Sequence, residues 1–159
     1  MDEKFTFFWS GTFSQWHPSP FQIDGVWYNC AEQYMMAEKA KLFGDTVTYQ
    51  MIMSAIEPSD QKRYGRMVKN FNPDIWNQHA KDIVYRAIYA KYTQNEGLKK
   101  ELLATKGTTL VEASPKDKIW GIGLHKTDIR AQKRETWLGT NWLGETLTKV
   151  RVQIEKENS

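Results

Sequence analysis

Apolar and polar positions alternate from Phe5 to Phe8, and again from Phe21 to Ile23 and Val26 to Tyr28 on either side of Asp24-Gly25. Side chains on a strand point to opposite faces in turn, so alternation predicts extended chain, and Asp-Gly between two such runs predicts a type I′ hairpin. From Cys30 to Phe43 the segment CAEQYMMAEKAKLF is rich in helix formers and free of Gly and Pro, with Gly44 where a left-handed residue ends a helix. Shorter helices are expected over Thr46 to Ser54 and, after Pro58 with Ser59 as cap, over Asp60 to Val68. Pro73 starts another. Ile75, His79, Ile83, Ala87 and Ala90 recur at three- and four-residue spacings, which predicts one apolar stripe on a long helix to Tyr92. That helix is expected to be the central packing element, with His79 a structural histidine on its stripe. Leu98 to Ala104 reads as a short helix and Thr109 to Glu112 as a strand leading into the Ser114-Pro115 turn. The stretch from Pro115 to Thr140 has three glycines and little periodicity, and a last helix from Asn141 to Ile154 turns Trp142, Leu143, Leu147, Val150 and Ile154 inward.

These elements sum to an α+β chain, mostly helical, with a small antiparallel sheet. At 159 residues it is expected to be a single compact domain over 1–159, able to bury roughly 70% of its unfolded surface without a staple. A mean hydropathy of −0.65 and no apolar run near the roughly 18 residues of a membrane span argue for a soluble protein without a membrane partner. The start Met1-Asp2-Glu3 lacks the basic and apolar regions of a signal peptide, so a cytoplasmic protein is expected. One cysteine, Cys30, provides neither an internal disulfide nor a Cys-rich zinc site. A net charge of +3 suits a phosphate-bearing ligand, and leaves nucleic acid open as the carrier of such a group, but is weak for a dedicated DNA binder.

Three segments carry candidate chemistry. Positions seven apart on a helix differ by about 20° around its axis, so Glu32 and Lys39 share a face two turns apart. Glu32 also stands three residues after Asn29, where it would complete a capping box, and Lys39 has solvation as its plain alternative. In the second segment Asp117 stands three residues before Trp120, Gly121 and Gly123, placing a carboxylate beside an aromatic wall and backbone that a ligand can approach closely; a local turn bond is the competing role for Asp117. The third is the loop Phe13 to Phe21, in which Ser14 and Trp16 are candidates to hold a base, since flat rings bind bases by stacking. No Walker loop, Rossmann fingerprint or His-x-x-x-His pair is present, so neither metal nor cofactor is expected.

Taken in order, the blocks FFWSGTFSQWHPSPFQIDGVWYNCAEQYMMAEKA, SAIEPSDQKRYGRMV, WNQHAKDIVYRAIYAKYTQNEGLKKELLAT, LVEASPKDKIWGIGL and WLGTNWLGETLTKVR resemble the NADAR (YbiA-like) family over about residues 5 to 152. The resemblance implies a mostly helical fold with a small sheet, and hydrolysis of N-glycosidic bonds. The substrates it implies are early riboflavin-pathway intermediates or ADP-ribosylated guanine, as a small molecule or carried on DNA. It implies catalytic roles for Glu32, Lys39 and Asp117, and extends the substrate-binding set of Ser14 and Trp16 to Tyr34, Arg66, Trp76, Trp120 and Gly121. Gln33 stands where the family commonly has His, Met36 where it has Gln, and Ser14-Gln15-Trp16 where it has Ser-Asn-Phe. Glu32 and Asp117 are expected to share acid–base work and stabilise charge at C1, with Lys39 able to form a Schiff base with an opened ribose. The alternative is a module that binds ADP-ribose or a nucleotide without cleaving it.

Overall fold

The computed structural model describes residues 2–158. In chain order the elements are strands β1 (Phe5–Phe8), β2 (Phe21–Ile23) and β3 (Val26–Tyr28), then helices α1 (Ala31–Leu42), α2 (Thr46–Ser54), α3 (Pro58–Gly65), α4 (Pro73–Thr93) and α5 (Glu96–Leu103). Strand β4 (Thr109–Glu112), two short 3-10 turns and helix α6 (Trp142–Glu157) complete the chain. The fold is α+β and mostly helical, as the spacing predicts. No helix among the described residues is long and apolar enough to cross a membrane. Two compact units are present, Gln15–Asn95 and the chain's two ends, up to Ser14 and from Glu96 on.

In the unit Gln15–Asn95, strands β2 and β3 form the antiparallel hairpin, turning through Asp24 and Gly25 at φ 51 and 80. Both turn residues are left-handed, as a type I′ turn requires. Helix α1 packs against α2, α3 and α4 and is buried without a break from Ala31 to Ala37. It, rather than α4, is therefore the central helix, because Ala31, Ala37 and Ala40 let neighbours approach it from several sides. On α4 the buried face begins at Ala80 rather than at Ile75; it keeps Ile83, Ala87 and Ala90 of the expected stripe and adds Val84, Ile88 and the fully buried Lys91. Ile75 and His79 are exposed, so His79 is not a core histidine. Asn72 caps α4 by accepting the amides of Asp74 and Ile75, with Pro73 at the position where a missing N–H costs nothing.

In the other unit β1 and β4 pair in parallel, Phe5 opposite Thr109 and Phe8 opposite Glu112. This second sheet was not expected; partners a hundred residues apart leave no turn signature between them. Val111, Ala113, Ile122, Leu124 and Ala131 form its core, with Phe5, Phe7 and Trp137 packed against them. Helix α6 lies on β4. Its start is tied by Asn141, fully buried and left-handed at φ 54, whose side chain accepts the Glu112 amide and donates to the Leu110 carbonyl.

Candidate active site

The start of α1 is built by three carboxamides. The helix begins after Cys30, whose backbone is extended and whose side chain makes no capping bond. Gln33 Oε1 accepts the Asn29 amide at 2.8 Å, while its Nε2 faces the carbonyls at the end of α2. Gln61 donates to Asn29 Oδ1 and to the Ala55 carbonyl, both at 3.0 Å. The reach back across the helix start is thus made by Gln33, and the capping box proposed for Glu32 does not form. Glu32, only 4% exposed, instead receives the Trp16 indole N–H on Oε1 at 2.9 Å, and its own amide donates to the Gln15 carbonyl at 3.0 Å. A carboxylate so buried requires donors of this kind, since burial alone disfavours its charge.

Glu32, Met36 and Lys39 follow one another along one ridge of α1. The Lys39 ammonium lies 4.5 Å from the centre of the Phe71 ring and 5.8 Å from that of Trp76. Burial is the largest influence on this amine and pushes its pKa below the usual lysine range; Glu32 pulls it up and Arg66 pushes it down further. Arg66 caps the end of α3. The close approach of α3 depends on Gly65, where any Cβ would collide with the Met36 thioether. From α3, Lys62 stands 5.9 Å from the Trp16 ring, whose residue is 42% exposed. One unit therefore brings together Glu32, Lys39, Trp16, Arg66 and Trp76 of the predicted residues.

Tyr34 is not among them. Two residues from Glu32 on a helix means roughly the opposite face, and there Tyr34 is buried against Tyr28 and Phe21 with its hydroxyl donating to Glu38 at 3.3 Å. Burial raises that hydroxyl's pKa to about 12, and its surroundings are those of a packing residue.

Ser14, Asp117, Trp120 and Gly121 belong to the other unit. The Ser14 amide closes a turn onto Gly11. Asp117 Oδ1 accepts the amides of Ile119 and Trp120 at 2.9 and 2.8 Å, the local turn bonding open to a carboxylate in that position. The carbonyls of Ile119, Trp120 and Gly121 then accept the amides of Trp142, Leu143 and Asn141, satisfying the first N–H groups of α6. Trp120 meets Trp142 edge to face at 5.5 Å, and a Cβ on Gly121 would crowd Glu112.

Sequence reasoning missed Phe71, Lys62 and Gln61, and marked Met36 and Gln33 only as departures from the family pattern, without a place in the site. Met36 and Gln33 carried local signals, through four-residue spacings from Glu32 and Asn29; Phe71, Lys62 and Gln61 depend on where α3 and the loop before α4 pack. Among the described residues no three His, Cys, Asp or Glu side chains gather as a metal site would need.

The chain is 45% identical over 149 residues to an N-glycosidase of Acanthamoeba polyphaga mimivirus, covering 91% of this chain and 88% of that one. It is 39% identical to Protein irg-1 of Caenorhabditis elegans, covering 89% and 74%. The solved NMR structure of Escherichia coli YbiA superposes with a TM-score of 0.81 at 28% identity, over 99% of this chain and 89% of that one. Residues 7–155 match the NADAR domain, and with these relatives the chain belongs to the NADAR family.

Proposed function

We propose that this protein is an N-glycosidase that hydrolyses the C1–N bond between a phosphorylated ribosyl group and a base. The observation that carries the reading is the ridge of α1, where a buried carboxylate held by an indole donor precedes a partly desolvated amine against two aromatic rings. The N-glycosidase relative of mimivirus supports the same bond. As that bond breaks, its electrons leave with the base nitrogen and positive charge grows at C1. Glu32 is the anion that stabilises this charge, and water supplies the new oxygen on C1.

Lys39 offers a covalent variant. If the ribose opens, C1 becomes an imine to the base, the neutral amine of Lys39 adds, and the base departs with a proton. Water then hydrolyses the Lys39 imine and returns the amine. Desolvation favours the neutral amine that this route needs. Arg66 is our choice for the phosphate, Trp16 and Trp76 for walls. Roles for Ser14, Asp117, Trp120 and Gly121 in binding or chemistry rest on the family resemblance alone, and the local bonds of Asp117 favour its holding the loop in shape. The substrate classes we favour are ADP-ribosylated guanine, as nucleoside or on DNA, and pyrimidine intermediates of riboflavin synthesis.

The test is a substrate panel drawn from those classes, followed by release of free base. Glu32→Gln should fold normally and lose at least about a hundredfold in rate, the scale of an acid–base or charge-stabilising group. Borohydride during turnover should trap a ribosyl adduct on Lys39 if the covalent route operates. Release of base from none of the panel would overturn the reading.

A further inference from the structure

Trp16 is bound to the site through its edge. The loop Gln15–Trp16 holds Glu32 twice, by the Gln15 carbonyl on its backbone amide and by the Trp16 indole on its carboxylate. The loop itself is anchored beyond Trp16, where the Ser19 amide donates to the Asn29 carbonyl at 2.9 Å and the Ser19 hydroxyl to the His17 carbonyl at 2.8 Å. An indole N–H donates only, so it cannot bond to a protonated carboxyl through the hydrogen that the carboxyl carries. Its partner oxygen must accept, which favours the ionised form.

We infer that Trp16 is a positioning residue for Glu32: its indole N–H aims the carboxylate and holds it as an anion, which commits Glu32 to stabilising charge at C1 rather than to donating a proton to the base. This rests on the reading of Glu32 given above. The charged and titratable groups around Glu32 are consistent with that assignment. Lys39 faces it from α1 itself, with Arg66 of α3 bearing on Lys39. Cys30, at the helix start, is a thiol pushed up to about 11 mainly by burial, and it feels both Glu32 and the buried Lys91 of α4. Lys62 of α3 stands over the Trp16 ring. Of these groups Lys39 is a cation that bears on Glu32 itself, and the Cys30 thiol, raised by its own burial, stays protonated and uncharged beside it near neutral pH.

Trp16→Phe keeps the ring and removes the donor. Against the substrate that the panel identifies, it should lower kcat about tenfold near neutral pH, the scale of one hydrogen bond to a charged group, with KM little changed. The acid limb of its kcat/KM profile should move to higher pH by about one unit, because Glu32 then protonates more readily. A raised KM with an unmoved limb would mean that Trp16 only stacks on substrate, and would overturn the inference. Glu32→Gln separates the two levels: if that variant stays active, the reading of Glu32 itself fails. A measurement without substrate completes the test. The indole N–H resonance of Trp16 should titrate with pH in the unaltered protein and lose that titration in Glu32→Gln; an indole signal insensitive to Glu32 would overturn the inference whatever the rates.

Discussion

The first turn of α1 and the loop from Ser114 to Gly123 each present one acid that the sequence singles out, and they use it in opposite ways. Glu32 is buried and held by a side-chain donor, so its charge faces other functional groups. Asp117 accepts two amides of its own loop, and the same loop offers three carbonyls to the start of α6. On the proposed reading, one carboxylate is a reagent and the other a piece of backbone scaffolding. What distinguishes them is whether the donors are side chains or neighbouring amides.

The sharpest way to break this contrast is a pair of charge-removing variants. Glu32→Gln should cost at least about a hundredfold in rate, whereas Asp117→Asn keeps an Oδ1 for both amides and should stay within a few-fold of normal activity. An Asp117→Asn variant as inactive as Glu32→Gln would show that the Asp117 charge enters the chemistry and that the contrast is false.

Glycine substitutions give the next largest effect. At Gly144 a methyl group would meet the Leu110 carbonyl and the buried Asn141 amide, neither of which can give way. At Gly65 it would meet the Met36 thioether, the end of a flexible chain. Gly144→Ala should cost about 3 kcal/mol or more, the upper range of overpacking, and Gly65→Ala about 1 kcal/mol, both read by chemical denaturation. Equal losses would mean that α1 and α3 are as rigid against each other as β4 and α6.

Acid stability separates the units most subtly. Asp45, at the start of α2, accepts from the Thr48 hydroxyl and amide and from the Lys69 amide, which holds it at about 2 instead of 3.8. Asp128, in the other unit, is held at about 2 chiefly by Arg130. Both pKa values are lowered in the folded protein, so each contributes stability that is complete above 3.8 and lost as pH falls toward 2. Asp45→Asn and Asp128→Asn should each flatten the loss of stability over that window. High salt should reduce the difference made by Asp128→Asn more than that made by Asp45→Asn, because the Arg130 ion pair of Asp128 is screened while its bond to the Arg130 amide and the amide and hydroxyl bonds of Asp45 are not.

Much of the fold was legible because its signals are local. The Asp24-Gly25 turn, Gly44 after α1, and Pro73 after Asn72 each mark a boundary with the conformation of one or two residues, and the structure places boundaries there. The parallel pairing of β1 with β4 and the central place of α1 were not legible, since both depend on partners far along the chain. The site divides in the same way. Glu32 and Lys39 could be paired from helical spacing, but nothing in the spacing shows that Gln33 would take over the reach to Asn29 and leave Glu32 to Trp16. Tyr34, a member of the same resembling block, faces the core because it lies two positions from Glu32 on the helix.

The lone thiol at the head of α1 gives this arrangement a built-in clock. Cys30 is 1% exposed and its sulfur donates to Gln61 at 3.2 Å, in the same carboxamide knot that fixes the helix start. An alkylating reagent reaches that sulfur only when the knot comes apart, so the labelling rate counts how often the helix head lets go. If the proposed site is right, ligand that fastens the neighbouring carboxylate should slow the labelling, giving a readout of occupancy that needs neither turnover nor a chromophore.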